Sequence, residues 1–194
     1  MQSFSLYVQL GFDHISDFAG IDHILFLVAL CAVYRIEQWR RLLVLVTAFT
    51  IGHSVTLALS AFGTITIPSD VIEFLIPTTI LATALNNVVS SPSSETSAGM
   101  NKNYAMALFF GFIHGMGFSN YFRALLMRDD SIVMPLLGFN LGIELGQLVI
   151  VTVLVALSYL FLRVFQAKHR DWNVFISGAA AGVSLMMMAE NRFW

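Results

Sequence analysis

The sequence predicts an all-α fold, a polytopic transmembrane helical bundle, on three observations. Hydrophobic residues make up 57% of the 194-residue chain and charged residues only 11%, where soluble domains carry about 25% charge. Mean hydropathy is +0.77. Several apolar runs approach 20 residues, the length that crosses a bilayer as a helix. Backbone groups in lipid must be satisfied internally, and no succession of short alternating strands suggests a barrel.

Taken in order, six spans are expected within one transmembrane domain of residues 1–194, at about 20–35, 42–63, 70–90, 104–127, 132–162 and 172–190. Residues 3–12 read as a short interfacial helix at the mouth of the bundle. The first span is short unless it begins upstream of Gly20, and the fifth is long enough to tilt. The polar stretch 90–103, SSPSSETSAGMNKN, reads as a linker. The amino terminus lacks a basic region followed by a long apolar core, so no cleavable signal peptide is expected.

Charge gives an orientation. Arg35, Arg40, Arg41, Lys102, Arg163, Lys168 and Arg170 fall on one side of the expected bundle. Arg123, Arg128 and Arg192 fall on the other, two of them offset by Asp129 and Asp130. The positive-inside rule then puts both termini outside the cytoplasm, in a bacterial inner membrane with lipid as the surrounding partner. A net charge of −2 gives no footprint for nucleic acid. The single cysteine, Cys31, excludes an intrachain disulfide and reads as a buried small hydrophobe.

Against this apolar background, the ionisable residues inside spans are the functional candidates. His14, Asp22 and His23 stand at the head of span one, in HISDFAGIDH. Asp22 also suits a helix N-terminus. His53 sits mid-span in FTIGHSVTL, with Thr50 and Thr56 on its face. His114 sits mid-span among Gly111, Gly115 and Gly117. Span five places Asn140, Glu144 and Gln147 on one face and Gly138, Gly142 and Gly146 on a second stripe. Imidazole and carboxylate donors without thiolates suit zinc, nickel or ferrous iron. By depth, His14, Asp22 and His23 are expected near the outer face, with His53, His114 and Glu144 near mid-membrane. No long-period repeat is evident, although FTIGHS and FGFIHG look superficially alike.

At GIDHILFL (20–27), FTIGHSVTL (49–57), FGFIHGMGF (110–118) and FNLGIELGQ (139–147) the chain resembles the HupE/UreJ family of hydrogenase and urease accessory membrane proteins. The resemblance covers nearly the whole chain, with the motifs in order. It implies a polytopic protein whose histidines bind nickel, with His23, His53 and His114 as ligands and Asp22 and Glu144 as acidic partners.

Three functions fit. The favoured one is a divalent-cation permease, for nickel or a similar ion, with an intramembrane His/carboxylate site. The second is an intramembrane zinc hydrolase acting on a lipid or lipid-linked substrate. There Glu144 or Asp22 would be the general base, and Ser54 or Asn140 would polarise a carbonyl. The third is an accessory membrane subunit of a larger complex, with polar groups serving helix packing alone. Alternating access is hard to draw for six spans without an inverted repeat, and a homo-oligomer would supply the missing interface.

Overall fold

The computed structural model describes residues 4–17, 20–64, 67–89, 97–126 and 132–194. Among them it is helical, with no strand. The elements are α1 (Phe4–Ser16), α2 (Ile21–Ala32), α3 (Trp39–Ala61), α4 (Ser69–Val89), α5 (Ser97–Leu126), α6 (Val133–Phe165) and α7 (His169–Glu190). A 3₁₀ turn, Ile36–Gln38, leads into α3. Arg128, Asp129, Asp130 and residues 90–96 of the expected linker lie outside the described residues.

Four stretches are long and apolar enough to cross a membrane: Ile36–Ser60, Ser69–Val89, Val133–Phe165 and His169–Glu190. Together α1 and α2 pass the same test as one broken span, bent by 69°. The first expected span corresponds to α2, the second member of this bent pair. The break falls next to Gly20, which has no side chain to hold the two halves in line. The central part of α5 devotes positions to Gly111, His114, Gly115 and Gly117, which dilutes its hydropathy. It packs along α3 through Gly111 and Gly115, while Gly117 sits against Ile76 of α4. The outer ridge of α6, Leu137, Leu141, Leu145, Val149, Val153, Leu157 and Leu160, is exposed, as a lipid-facing helix surface requires.

Side-chain contacts fix the directions. Ser69 meets Asn120, Thr79 meets His114 and Asn86 meets Lys102, so α4 runs antiparallel to α5. Asn173 and Ser177 near the start of α7 bond to Asn87 near the end of α4, and Asn191 after α7 reaches Glu73 near α4's start. That last bond has a local cause. Pro77 has no N–H to give the Glu73 carbonyl one turn back, and Asn191 Nδ2 donates to it instead, at 3.4 Å. The upper end is taken as the one where α4 begins and α5 ends. From there α1–α2 descends, α3 ascends, α4 descends, α5 ascends, α6 descends and α7 ascends.

Close backbone contact binds two of these pairs. A Cβ on Gly52 of α3 would strike the Leu108 carbonyl of α5, and one on Gly111 of α5 would strike the Phe49 carbonyl of α3. On the other pair, Gly142 of α6 sits against the Val8 carbonyl of α1, and Gly11 of α1 against the Phe139 carbonyl of α6. Within lipid, association rests on packing of this kind, since the acyl chains are as apolar as the helices. The short amino-terminal helix expected over residues 3–12 spans Phe4–Ser16. Tyr7, Gly11 and Ile15 of α1 are buried against the glycine stripe of α6, which turns the helix into the bundle. By contrast, nothing lies within 4 Å of a Cβ built on Gly178 or Gly182 of α7.

Thermal unfolding in detergent checks this packing. Gly52→Leu and Gly142→Leu are each expected to destabilise by at least about 1–3 kcal/mol through overpacking. Gly182→Ala is expected to be neutral or to stabilise by up to about 1 kcal/mol through helix propensity.

Candidate metal centre

Four helices bring imidazoles to one place. Tight packing of α1 on α6 carries His14 inward, and α2 supplies Asp22 and His23 from its first turn. From the α3–α5 crossing come His53, next to Gly52, and His114, three residues after Gly111. Ring centroids stand 4.8 Å apart for His14–His23, 5.8 Å for His14–His53, 5.9 Å for His23–His53 and 5.2 Å for His23–His114. Ligand atoms of His14, His23 and His53 lie within 4.8 Å of one another, and so do those of Asp22, His23 and His114. His23 belongs to both groups. Donors on one zinc-like ion, at bonds of about 2.0–2.2 Å, stand roughly 3–4 Å apart. A cation would therefore draw the rings in by about 1 Å, within reach of small side-chain rotations.

The burial of these rings is unusual. His53 is 0% exposed, His114 1% and His23 5%. Among the described residues, His14 Nε2, His23 Nε2, both ring nitrogens of His53 and His114 Nδ1 are buried without a hydrogen-bond partner. Each such atom costs free energy in an apolar interior. Their neighbours also set the tautomers. Asp22 Oδ1 lies 3.1 Å from His23 Nδ1 and accepts the backbone N–H of His23 at 2.9 Å. A carboxylate can only accept, so Nδ1 carries the proton and Nε2 keeps a lone pair. Thr79 Oγ1 donates its one proton to the Ile76 carbonyl at 2.7 Å. With its proton on that carbonyl it accepts from His114 Nε2, 3.0 Å away, the arrangement that leaves the lone pair on Nδ1. Holding the non-ligating nitrogen in this way is how proteins orient metal-binding imidazoles.

Phe118, Phe139, Phe49 and Phe26 wall the pocket. Phe118 and Phe139 stack at 4.9 Å beside His14, and Phe26 and Phe49 stack at 4.8 Å beside His23 and His114. Above the histidines a vestibule of about 550 Å³ is lined by Leu10, Asp13, His14, Ser16, Asp17, Phe118 and Tyr121. Below them a pocket of about 30 Å³ lies between Phe26, Phe110, Ala107, Thr83 and Asn103, and a cavity of about 240 Å³ beside Tyr34, Arg35, Arg163 and His169 lies further toward the lower end.

Other sequence candidates are placed elsewhere. Glu144 is in neither group of metal-capable residues. Its Oε1 accepts the Thr47 hydroxyl at 2.6 Å, because that face of α6 turns toward α3. Gln147 Oε1 accepts from Thr50 at 2.8 Å, and its Nε2, like Asn140 Oδ1, is buried without a partner among the described residues. The Ser54 hydroxyl donates to the Thr50 carbonyl at 2.6 Å. The expected separation in depth between an outer and a midplane site is replaced by one continuous cluster, since α1 reaches down to His53. Thr79, Asp13 and Asp17 escaped the sequence reading. Asp13 and Asp17 are one helical turn apart and flank His14, a pattern that was available; Thr79 had no comparable signal. The fifth histidine, His169, lies away from the pocket, beside Tyr34.

Fold and pocket together define an integral membrane helical bundle with a histidine-rich interior. The family model described as HupE / UreJ protein matches residues 1–192, and the chain belongs to that family. No curated protein and no solved structure matches it significantly.

Selective ¹⁵N-histidine NMR reads the tautomers directly. His23 is expected as the Nδ1–H form and His114 as the Nε2–H form, with Thr79→Val perturbing His114 and leaving His23 unchanged. A Nδ1–H signal from His114 would contradict the assignment.

Proposed function

We propose that the chain is a permease for a divalent transition-metal cation, with nickel the ion that the family association favours. His14, His23, His53 and His114 would be its nitrogen ligands and Asp22 its carboxylate. One observation carries this reading: several buried imidazole nitrogens without partners converge from four helices, with two of them held in the ligating tautomer. Nitrogen-rich donors favour nickel, zinc or ferrous iron over magnesium or calcium, which prefer oxygen. A purely structural role for the polar groups would leave these nitrogens unsatisfied at a cost. The hydrolase reading is weaker, because Ser54 and Glu144 are both engaged with neighbouring groups of α3.

Orientation follows from charge. The lower end carries Arg35, Arg40, Arg41, Lys102, Arg163, Lys168 and Arg170, so it would face the cytoplasm of a bacterial inner membrane, with both termini outside. The vestibule then opens outward, where Asp13 and Asp17 raise the local cation concentration. Cation binding would require neutral imidazoles and weaken on acidification.

Nickel uptake into proteoliposomes, with metal content of the purified protein, tests the reading. Wild type is expected to bind nickel and to transport it. His53→Ala and His114→Ala are expected to lower affinity by about tenfold or more and to abolish uptake, whereas Glu144→Gln retains it. Undiminished uptake by His53→Ala would overturn the proposal.

A further inference from the structure

The two glycine crossings are the same crossing made twice. A Cβ on Gly52 would strike the Leu108 carbonyl and crowd the Phe112 amide; one on Gly111 would strike the Phe49 carbonyl and crowd the His53 amide. A Cβ on Gly142 would strike the Val8 carbonyl and crowd the Phe12 amide; one on Gly11 would strike the Phe139 carbonyl and crowd the Ile143 amide. In all four cases the atoms are the carbonyl three residues before the opposing glycine and the amide one residue after it.

The sequence pairs the same way. Gly11-Phe12-Asp13-His14 on α1 matches Gly111-Phe112-Ile113-His114 on α5. Phe49-Thr50-Ile51-Gly52 on α3 matches Phe139-Asn140-Leu141-Gly142 on α6. The pairing is crosswise, so the Gly-Phe-x-His helix of each half lies on the Phe-x-x-Gly helix of the other. The last helix of each half, α4 and α7, pack antiparallel on one another. Each helix also runs opposite to its counterpart: α1 descends and α5 ascends, α3 ascends and α6 descends, α4 descends and α7 ascends. FTIGHS and FGFIHG, which look alike, are therefore partners in a crossing, and the repeat pairs other segments.

We infer that the chain is an inverted repeat, residues 4–89 against 97–190, whose halves have exchanged their first helix, and that the histidine pocket at their junction opens alternately to the upper and lower ends. Inverted repeats related by a pseudo-two-fold axis and meeting at a midplane site are an architecture that alternates access by rocking one repeat against the other. The site's histidines divide accordingly: His14 rides on the α1/α6 pair, while His53 and His114 ride on the α3/α5 pair. The structure is open above, and below the histidines the buried rings of Phe26, Phe49 and Phe110 stand between them and the cavities of the lower end. Phe49 and Phe139 are repeat equivalents on opposite sides of the pocket, 5.1 Å from His114 and 5.6 Å from His14. In the other state Phe139, with Phe118, forms the seal above. An internal repeat supplies the interface that a homo-oligomer was expected to provide. The alternation serves the permease reading and rests on it; the repeat itself does not.

Thiol accessibility tests this on the full chain in a Cys31→Ala background, with Leu10→Cys as the upper reporter and Ala107→Cys as the lower one. Without metal, a hydrophilic maleimide is expected to label position 10 and spare position 107. Phe26→Ala removes part of the lower seal, and is expected to raise labelling at 107 and lower it at 10 together, each by about threefold or more. If Phe26→Ala does not fold, the milder Phe49→Leu is expected to shift both reporters in the same directions. A rise at 107 with no fall at 10 means a local cavity and overturns the inference. Nickel binding by unlabelled aliquots of the same variants, loaded separately, separates the two claims. Nickel bound with unlinked reporters removes the alternation and leaves the metal reading standing. Linked reporters without bound nickel remove the metal reading and leave the repeat.

Discussion

Backbone-to-backbone approach at glycine is the constraint on which the rest of this structure depends. A bilayer offers helices no gain from hiding apolar surface against one another, so only dense packing and internal hydrogen bonds hold them together. Gly52 with Gly111, and Gly11 with Gly142, let two helix pairs close until main-chain atoms touch. His53 follows Gly52 directly, and His14 and His114 each lie three residues beyond a contact glycine. The same contacts that fix the helices therefore fix where three imidazoles stand.

The chemistry grows out of that placement. A buried neutral imidazole needs a donor and an acceptor; here His23 and His114 each find one partner, and His53 finds neither among the described residues. Asp22 and Thr79 take one proton each from His23 and His114, and leave the opposite nitrogens facing inward. Aromatic rings close the remaining walls, so few dipoles compete for the lone pairs. Such an interior is costly on its own terms and is relieved by a cation with affinity for nitrogen.

Much of the helical plan was legible in the sequence, because bilayer thickness dictates run length. α3, expected at about 42–63, spans Trp39–Ala61, and α4, expected at about 70–90, spans Ser69–Val89. The role of α1 was not legible. Its 13 residues are too few to cross a membrane and include Gln9, Asp13 and His14, so composition suggests a surface helix. Only Gly11 hinted at a partner, and a single glycine does not say which. Glu144 shows a second limit. Its depth in α6 could be read from residue count, but the neighbour its face meets is set by packing, which turned it toward Thr47. The repeat stayed hidden for a related reason: each matching segment is only four residues long, and the segments that look more alike, FTIGHS and FGFIHG, are crossing partners.

The central claim is that imidazoles from separate helices share one cation. X-ray absorption at the metal edge of nickel-loaded protein tests it most directly. The account predicts a shell of nitrogen and oxygen only, with distances of about 2.0–2.2 Å, back-scattering from the imidazoles of His14, His23, His53 and His114, and loss of that signal in His23→Ala. A shell of water oxygens alone, or an imidazole signal that survives His23→Ala, would contradict it.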